Sequence, residues 1–473
     1  MRHSPIIALV LASGMLVAAE APQPTIKVPT GELVEDMACL SDPTQTYALY
    51  LPHGYSTERT WPALLIFDPR GRSVHAAERF QAAAERWGWI ILSSNDTRSD
   101  GPWEPNLKAI QALWPEVHLR YKADEHRIYA AGLSGGGHVA YLLGQTTGEI
   151  AGVIVSGSRL LTENLAGTSF AVFAAAGDRD FNYQEMRKVD AFVAGLGNPH
   201  RFEEFSGLHV WMPPELAAEA VAWMELQAMR RALRPPDATA VHELFTHDLA
   251  AARALEAAGN VLGAHRRFEM MTRAYDGLTD VAEPAESAAR LAAGREFKRA
   301  LKEERKWLAF EITTRERFAE AYAWMQHEDD TPTAAELRIA LGLRSLEKHA
   351  EAPGIEGTTA RRLLSTLYSE TSYYVGPPLL QAGRWQAAVA VLTVATEIHD
   401  GWGSVWPSWY NLACAYARSG DRRHALSALE RAVAEGYSNA EHLRNDPDLA
   451  SLHGLEAFEA IATSLEGSSA AAP

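Results

Sequence analysis

Between residues 46 and 229, short apolar runs alternate with longer stretches in which apolar residues recur at helical spacing. The short runs have the length and composition of strands buried on both faces, and the longer stretches have the period of amphipathic helices. Strands are predicted at Tyr47–Leu51, placed at an edge by its alternation, and at Ala63–Phe67, Trp89–Ser93, Ile128–Leu133, Ala151–Ser156, Phe170–Ala175 and Arg201–Phe205. Helices are predicted at His75–Trp87, Asn106–Tyr121, directly after Ser134, Tyr183–Leu196 and Pro214–Met229. Repeated strand–helix units imply an α/β fold with a mostly parallel sheet covered on both faces. In such sheets ligands sit at the carboxyl ends of the strands.

Beyond Arg230 the alternation stops. Arg234-Pro235-Pro236-Asp237 reads as a linker, and the chain after it lacks strand signals while being rich in Ala, Leu, Glu and Arg. Three stretches carry the spacing of tetratricopeptide helix–turn–helix repeats. The clearest has Trp409, Leu412, Ala413, Tyr416, Gly420, Ala425, Leu429 and Ala432; a second has Gly376, Gly383, Ala388, Leu392 and Ala395; a third has Ala252, Leu255, Gly259, Ala264 and Phe268. In the second, Pro377-Pro378 is expected to disturb the first helix. Long amphipathic helices are expected at Ala285–Gln326, with Phe297, Leu301, Leu308 and Ile312 forming its packing face, and at Thr333–Lys348. The run His327-Glu328-Asp329-Asp330 reads as a solvated turn without metal-ligand spacing. The expected division is an α/β domain over 20–233, a linker over 234–240, an all-α tetratricopeptide-like domain over 241–466 and a disordered tail over 467–473.

Residues 1–19 stand apart. Arg2 and His3 precede an apolar run from Pro5 to Ala18, and Val17-Ala18-Ala19 offers the small residues read by a signal peptidase. The run is too short to span a membrane, so the expectation is a cleaved leader and a periplasmic or secreted protein. The chain of 473 residues has a net charge of −16 and no basic tract, which excludes nucleic acid and anionic membrane surfaces as partners. Its two cysteines, Cys39 and Cys414, make neither a disulfide framework nor a zinc site and read as unpaired thiols. No metal or organic cofactor is implied.

The chemistry concentrates at strand ends. The stretch Arg127 to His138 contains Gly132-x-Ser134-x-Gly136 between an apolar strand and a helical run. A side chain at the tip of so tight a turn needs neighbours without Cβ, and the helix start aims N–H groups at an oxyanion formed beside it. The strand ending at Ala175 runs into Gly177-Asp178-Arg179-Asp180, and the next into Ser206-Gly207-Leu208-His209. The order serine, acid, histidine suits a nucleophile (Ser134), a base (His209) and an acid that holds the base's tautomer. Asp180 is favoured as the acid, with Asp178 the alternative, since either carboxylate also suits the helix start near Tyr183. His138 reads as structural. For the oxyanion, Gly135 supplies one N–H, and the loop Asp68-Pro69-Arg70-Gly71-Arg72 the other, through Arg70 or Gly71. Arg70 and Arg72 are also placed to pair with a substrate carboxylate. Trp103, ending the polar loop that begins at Asn95, and Trp211 are candidate walls of a shallow substrate site.

With these residues in view, positions 37 to 229 resemble the dienelactone-hydrolase and polyhydroxybutyrate-depolymerase-like esterases of the α/β-hydrolase fold. The resemblance is carried by Tyr47-Ala48-Leu49-Tyr50-Leu51-Pro52, Phe67-Asp68-Pro69, Gly132-Leu133-Ser134-Gly135-Gly136, Gly177 to Tyr183, and Gly207-Leu208-His209-Val210-Trp211. It implies Ser134 as nucleophile, His209 as base and Asp180 as acid, acting on a small-molecule ester. The chain lacks the His-Gly-Gly-Gly oxyanion loop of lipase-like relatives, which leaves the second N–H open. Two functions are compatible with these residues: an exported serine hydrolase forming an acyl-enzyme, with peptide or thioester cleavage as variants, or a binding protein whose helical repeats recruit a protein partner around a weak or lapsed hydrolase module.

Overall fold

The computed structural model describes residues 28–160, 168–327, 331–398 and 405–469. The expected leader (1–19) and the acids Glu328 to Asp330 lie outside the described residues. The chain divides into two compact units, Met1–Leu301 and Lys302–Pro473.

Eight strands form the sheet of the first unit: β1 (Leu33–Ala38), β2 (Thr46–Tyr50), β3 (Trp61–Phe67), β4 (Ile90–Ser94), β5 (Ala123–Leu133), β6 (Ile150–Ser156), β7 (Ala171–Gly177) and β8 (His200–Phe205). Their spatial order is β1-β2-β4-β3-β5-β6-β7-β8, and β2 pairs antiparallel with both neighbours while all later pairs are parallel. This is an α/β-hydrolase-like sheet. The run at Tyr47–Leu51 is not the edge, because β1 covers it. β1 escaped the apolar pattern because its side chains are half-buried or exposed.

Alternation along the strands sends side chains to two packed faces. Leu64, Ile66, Ile91, Tyr129 and Phe173 pack with α1 (Ser73–Trp87) through Phe80 and with α5 (Pro214–Arg230) through Trp223 and Met224. Leu65, Phe67, Leu92, Val153 and Val172 pack against α2 (Glu104–Arg120), α3 (Gly135–Thr147) and α4 (Tyr183–Gly195). The first face does not end at the expected linker. Helices α6 (Ala238–Ala257), α7 (Val261–Tyr275) and α8 (Ala282–Ala293) add Val241, Ala252, Phe268, Met271, Tyr275 and Leu291 to the same core. A partly buried charge cluster joins them to the sheet. Arg201 on β8 bonds Glu203 and Glu219, Arg267 on α7 bonds Glu203, Glu219 and Asp248, and the Tyr275 hydroxyl donates to Asp248 at 2.6 Å.

In the second unit the described residues form helices only. The long helices predicted between Ala285 and Lys348 are each broken. Gly294 separates α8 from α9 (Arg295–Met325), and Gly342, at φ 67°, separates α10 (Ala334–Leu341) from α11 (Leu343–Ala350). The packing face of α9 also differs from the expected one. Ile312 is exposed, while the buried stripe is Glu304, Trp307, Glu311, Thr314, Phe318, Ala321 and Met325. Hydropathy missed it because the stripe includes carboxylates, of which Glu311 is buried in a two-pronged pair with Arg362, at 3.0 and 2.8 Å. Ahead of Pro377-Pro378 the chain widens into a π-helical turn over Glu370–Val375. Two successive residues without N–H leave the carbonyls one turn back unanswered, and a wider turn accommodates them. The pair α12 (Trp406–Ser419) and α13 (Arg422–Ala434) turns at Gly420, φ 89°. The last helix runs on to Ser469, so the expected tail from Gly467 begins in helix.

Because Arg267 answers the buried Asp248 together with the half-buried Glu203 and Glu219, Arg267→Ala is expected to destabilise the first unit by about 3 kcal/mol, read as a lower urea midpoint. Arg290→Ala, which removes an exposed pair with Glu256, should leave that midpoint unmoved.

Candidate active site

Ser134 sits between β5 and α3 with φ 50° and ψ −121°, a left-handed backbone in a residue that carries a side chain. Close packing leaves no room for side chains around it. A methyl on Gly132 would overlap the Gly136 and Gly137 backbone, and one on Gly136 would overlap the Phe67 carbonyl at the end of β3. Ser134 N–H donates to Ser156 O at 3.0 Å, so the turn is tied to the end of β6. The Ser134 carbonyl in turn accepts the Gly137 N–H at 3.0 Å, closing the first turn of α3. The first N–H groups of a helix have no partner within it, and Gly135 is the first residue of α3.

The residue after Ser156 connects this turn to the other two groups. Gly157 has φ 53°, and a Cβ there would lie 2.5 Å from Asp180 Oδ2 and 2.8 Å from His209 Nδ1. His209 Nδ1 and Asp180 Oδ1 are 2.9 Å apart. Asp180 is fully buried, and its Oδ1 also accepts the Asn182 N–H at 2.7 Å, while the Asn182 side chain donates to Gly157 O at 2.8 Å. The ring of Phe181 lies against the imidazole, 4.1 Å between centroids.

It is therefore Asp180 that meets the histidine. Asp178 does other work: its Oδ1 accepts the Gly207 N–H at 3.0 Å, its own N–H reaches Phe205 O, and Arg179 N–H reaches Gly207 O. These three bonds join the loop carrying the acid to the loop carrying the histidine. Beyond the histidine, Met212 N–H donates to Ser156 Oγ at 3.1 Å, bringing the loop back to β6.

Other expected positions fall differently. The N–H of Arg70 donates to Asp68 Oδ1 at 2.9 Å and that of Gly71 to Asp68 O at 3.1 Å, so both are committed within their own loop. Trp211 is not a wall of the site. It is 2% exposed in the core, and its indole N–H donates to Asp68 Oδ2 at 2.8 Å. Arg72 is likewise engaged by Asp68 through its guanidinium, at 3.0 and 2.9 Å. Burial pushes the Asp68 carboxyl up, but the bonds from Arg72, Trp211 and the Arg70 N–H outweigh it and hold the group below its usual range. Trp103 remains half-buried at the base of the loop after β4. Burial, then the charge of Arg159, pushes the His138 imidazole down to about 4. Sequence reasoning missed Gly157 and the anchoring part played by Asp68, although the Ser156-Gly157-Ser158 step after an apolar strand was a visible signal.

A cavity of about 400 Å³ opens at the start of α1, lined by Gly71, Arg72, Ser73, Val74, His75, Glu78 and Asn95. Among the described residues one group brings metal-ligand atoms together, Cys414, Asp446 and Asp448, within 4.8 Å. Asp446 is already engaged: Tyr410 O–H donates to its Oδ2 at 2.7 Å, and the Cys414 thiol points at the same oxygen. Both cysteines are free and buried, and burial, with Glu116 adding to it, pushes the Cys39 thiol up to about 12.

No protein-family model matches the chain. A chloroplastic protein of Arabidopsis thaliana is 38% identical over 52 residues, 11% of this chain and 16% of that protein, so the chain spans a small part of that relative's length. Among solved structures, the S-formylglutathione hydrolase FrmB of Staphylococcus aureus is 15% identical with a TM-score of 0.35, over 42% of this chain and 99% of its own. An esterase of Pyrobaculum calidifontis is 13% identical with a TM-score of 0.35, over 49% of this chain and 99% of its own. A thermostable esterase is 17% identical with a TM-score of 0.35, over 41% of this chain and 62% of its own. These neighbours are esterases and an S-formylglutathione hydrolase, and each likeness covers less than half of this chain.

Gly157→Ala puts a methyl where the Asp180 carboxylate and the imidazole lie, at a backbone angle that side chains avoid. It is expected to destabilise the first unit by about 1–3 kcal/mol, measured by chemical denaturation. Ala at Gly195, where nothing approaches within 4 Å, should be tolerated.

Proposed function

We propose that the first unit is a serine hydrolase that cleaves a carboxylic ester through an acyl-enzyme on Ser134. The observation that carries this reading is the 2.9 Å contact of His209 Nδ1 with the buried Asp180, made against Gly157, the residue after the Ser156 carbonyl that holds the strained Ser134 turn. A carboxylate facing Nδ1 keeps the proton on that nitrogen and leaves the Nε2 lone pair as the base. Nε2 takes the Ser134 hydroxyl proton as Oγ bonds to the carbonyl carbon, and the carbonyl π electrons move onto oxygen. The oxyanion is met by the Gly135 N–H at the positive end of α3. The carbonyl then re-forms, the alcohol's C–O bond breaks, and the imidazolium returns its proton to the leaving oxygen. Water enters by the same path: His209 takes its proton, the hydroxide oxygen adds to the acyl carbon, and Ser134 departs reprotonated as the acid is released. The Asp180 carboxylate orients the imidazole and takes no part in the proton transfer.

The same reading has the chain exported by its leader to the periplasm or the exterior. It also has the helical region, as tetratricopeptide-type repeats, contact another protein. Among the described residues no helix is long and apolar enough to cross a membrane.

The test is labelling with a fluorophosphonate probe. Wild type is expected to be labelled and Ser134→Ala not. Asp180→Asn, which puts a donor opposite Nδ1 and favours the wrong tautomer, is expected to lower kcat on the order of 10⁴-fold, whereas Asp178→Asn should lose far less. A folded wild-type protein that takes no label would overturn the reading.

A further inference from the structure

Stabilising a tetrahedral oxyanion takes more than one donor, and the two N–H groups expected from the loop after β3 are committed within that loop. Pro69 lacks an N–H, Arg70 and Arg72 donate theirs to Asp68 Oδ1 at 2.9 and 3.3 Å, and Gly71 donates to Asp68 O at 3.1 Å. The Arg70 and Gly71 N–H groups are therefore not the second donor.

The neighbouring loop, after β4, holds one. The hydroxyl of Ser99 is the nearest atom to the place a Cβ would occupy on Gly135, followed by Ser99 Cβ at 3.0 Å and Cα at 3.4 Å. Ser99 is half-buried, and among the described residues its hydroxyl makes no hydrogen bond. A hydroxyl without a partner thus lies over the very residue whose N–H faces the oxyanion. Gly135 is required for the same reason, since any side chain there would displace it.

The loop is fixed in place rather than loosely draped. Ser99 N–H donates to Pro69 O at 2.9 Å, and Thr97 Oγ1 donates to Asp68 O at 2.8 Å. The buried Asn106 side chain clamps Arg98 from both sides, accepting its N–H at 2.9 Å and donating to its carbonyl at 2.8 Å. The next residue, Asp100, is held at φ 59°, a conformation that persists in a side-chain-bearing residue only where its surroundings impose it. Such a donor needs no reorganisation when charge develops, which is what makes oxyanion donors effective.

We propose that Ser99 is the second oxyanion donor, its hydroxyl acting with the Gly135 N–H on the oxygen of the tetrahedral intermediate. This rests on Ser134 being the nucleophile. Ser99 gives a hydrogen bond and transfers no proton, so its contribution grows as the carbonyl oxygen becomes charged and is small in the ground state.

The experiment compares wild type and Ser99→Ala in the full chain, with p-nitrophenyl acetate as substrate and rates expressed per Ser134 site titrated by fluorophosphonate, which removes any misfolded fraction. The expected result is a fall in kcat of about 10²–10³-fold, KM within about threefold, and inhibition by phenylboronic acid, a tetrahedral mimic, weakened by a similar factor. Ser99→Thr, which keeps the hydroxyl, should recover most of the rate. Per-site kcat within about threefold of wild type in Ser99→Ala, or a loss confined to KM, would overturn the proposal. A wild type that is not labelled at Ser134 would sink the hydrolase reading and this inference with it.

Discussion

The strained turn at Ser134 is the constraint on which the first unit depends. A residue with a side chain at φ 50° costs on the order of 1–3 kcal/mol and persists only because its surroundings allow no alternative. The turn's own N–H is bonded to the end of β6, and its carbonyl starts the helix. The carbonyl of Phe67 lies where any side chain at 136 would be. The strain is thus shared between three neighbouring strands, β3, β5 and β6, whose parallel register brings Phe67 opposite Gly132 and Gly132 opposite Val155. Those strands are the buried centre of the sheet, where local unfolding is least frequent.

Around this turn two carboxylates do different work. Asp180 is buried to meet an imidazole. Asp68 is buried to organise a loop, gathering two backbone N–H groups, a guanidinium and the Trp211 indole. The indole bond matters because Trp211 lies two residues past His209. Through it, the loop after β3 and the segment carrying the histidine share one anchor, and the histidine's approach to Asp180 is supported from both sides. Satisfying Asp68 this fully also consumes N–H groups expected to serve an oxyanion, and the loop after β4 gains importance for that reason.

Ionic contacts play a comparable structural part away from the turn. Arg201 and Arg267 share Glu203 and Glu219 between a strand and a helix beyond the expected linker, and Glu311 with Arg362 does the same inside the second unit. Buried charges of this kind add little net stability but penalise any packing that leaves one of them unpaired. They select one docking of the helices over others that a merely apolar face would accept.

Local pattern was enough for much of this. The apolar runs located seven strands to within a few residues, because a strand buried on both faces must be apolar throughout. Gly132 and Gly136 marked the turn because nothing larger fits, and chain order brought Asp180 and His209 forward as candidates. Tertiary structure alone decided the rest. Which of Asp178 and Asp180 faces the imidazole depends on how two loops are zipped together. That the Arg70 and Gly71 N–H groups are committed, and that Trp211 is core, depends on an aspartate whose partners lie as far as 143 positions away. The β1 edge strand and the Glu304–Glu311 face of α9 were invisible because carboxylates interrupt both, Glu35 and Asp36 in the first and Glu304 and Glu311 in the second. Hydrophobic periodicity records whether a side chain is buried; it carries no information about which distant donor or acceptor a buried polar group meets, and that choice is made only when the loops converge.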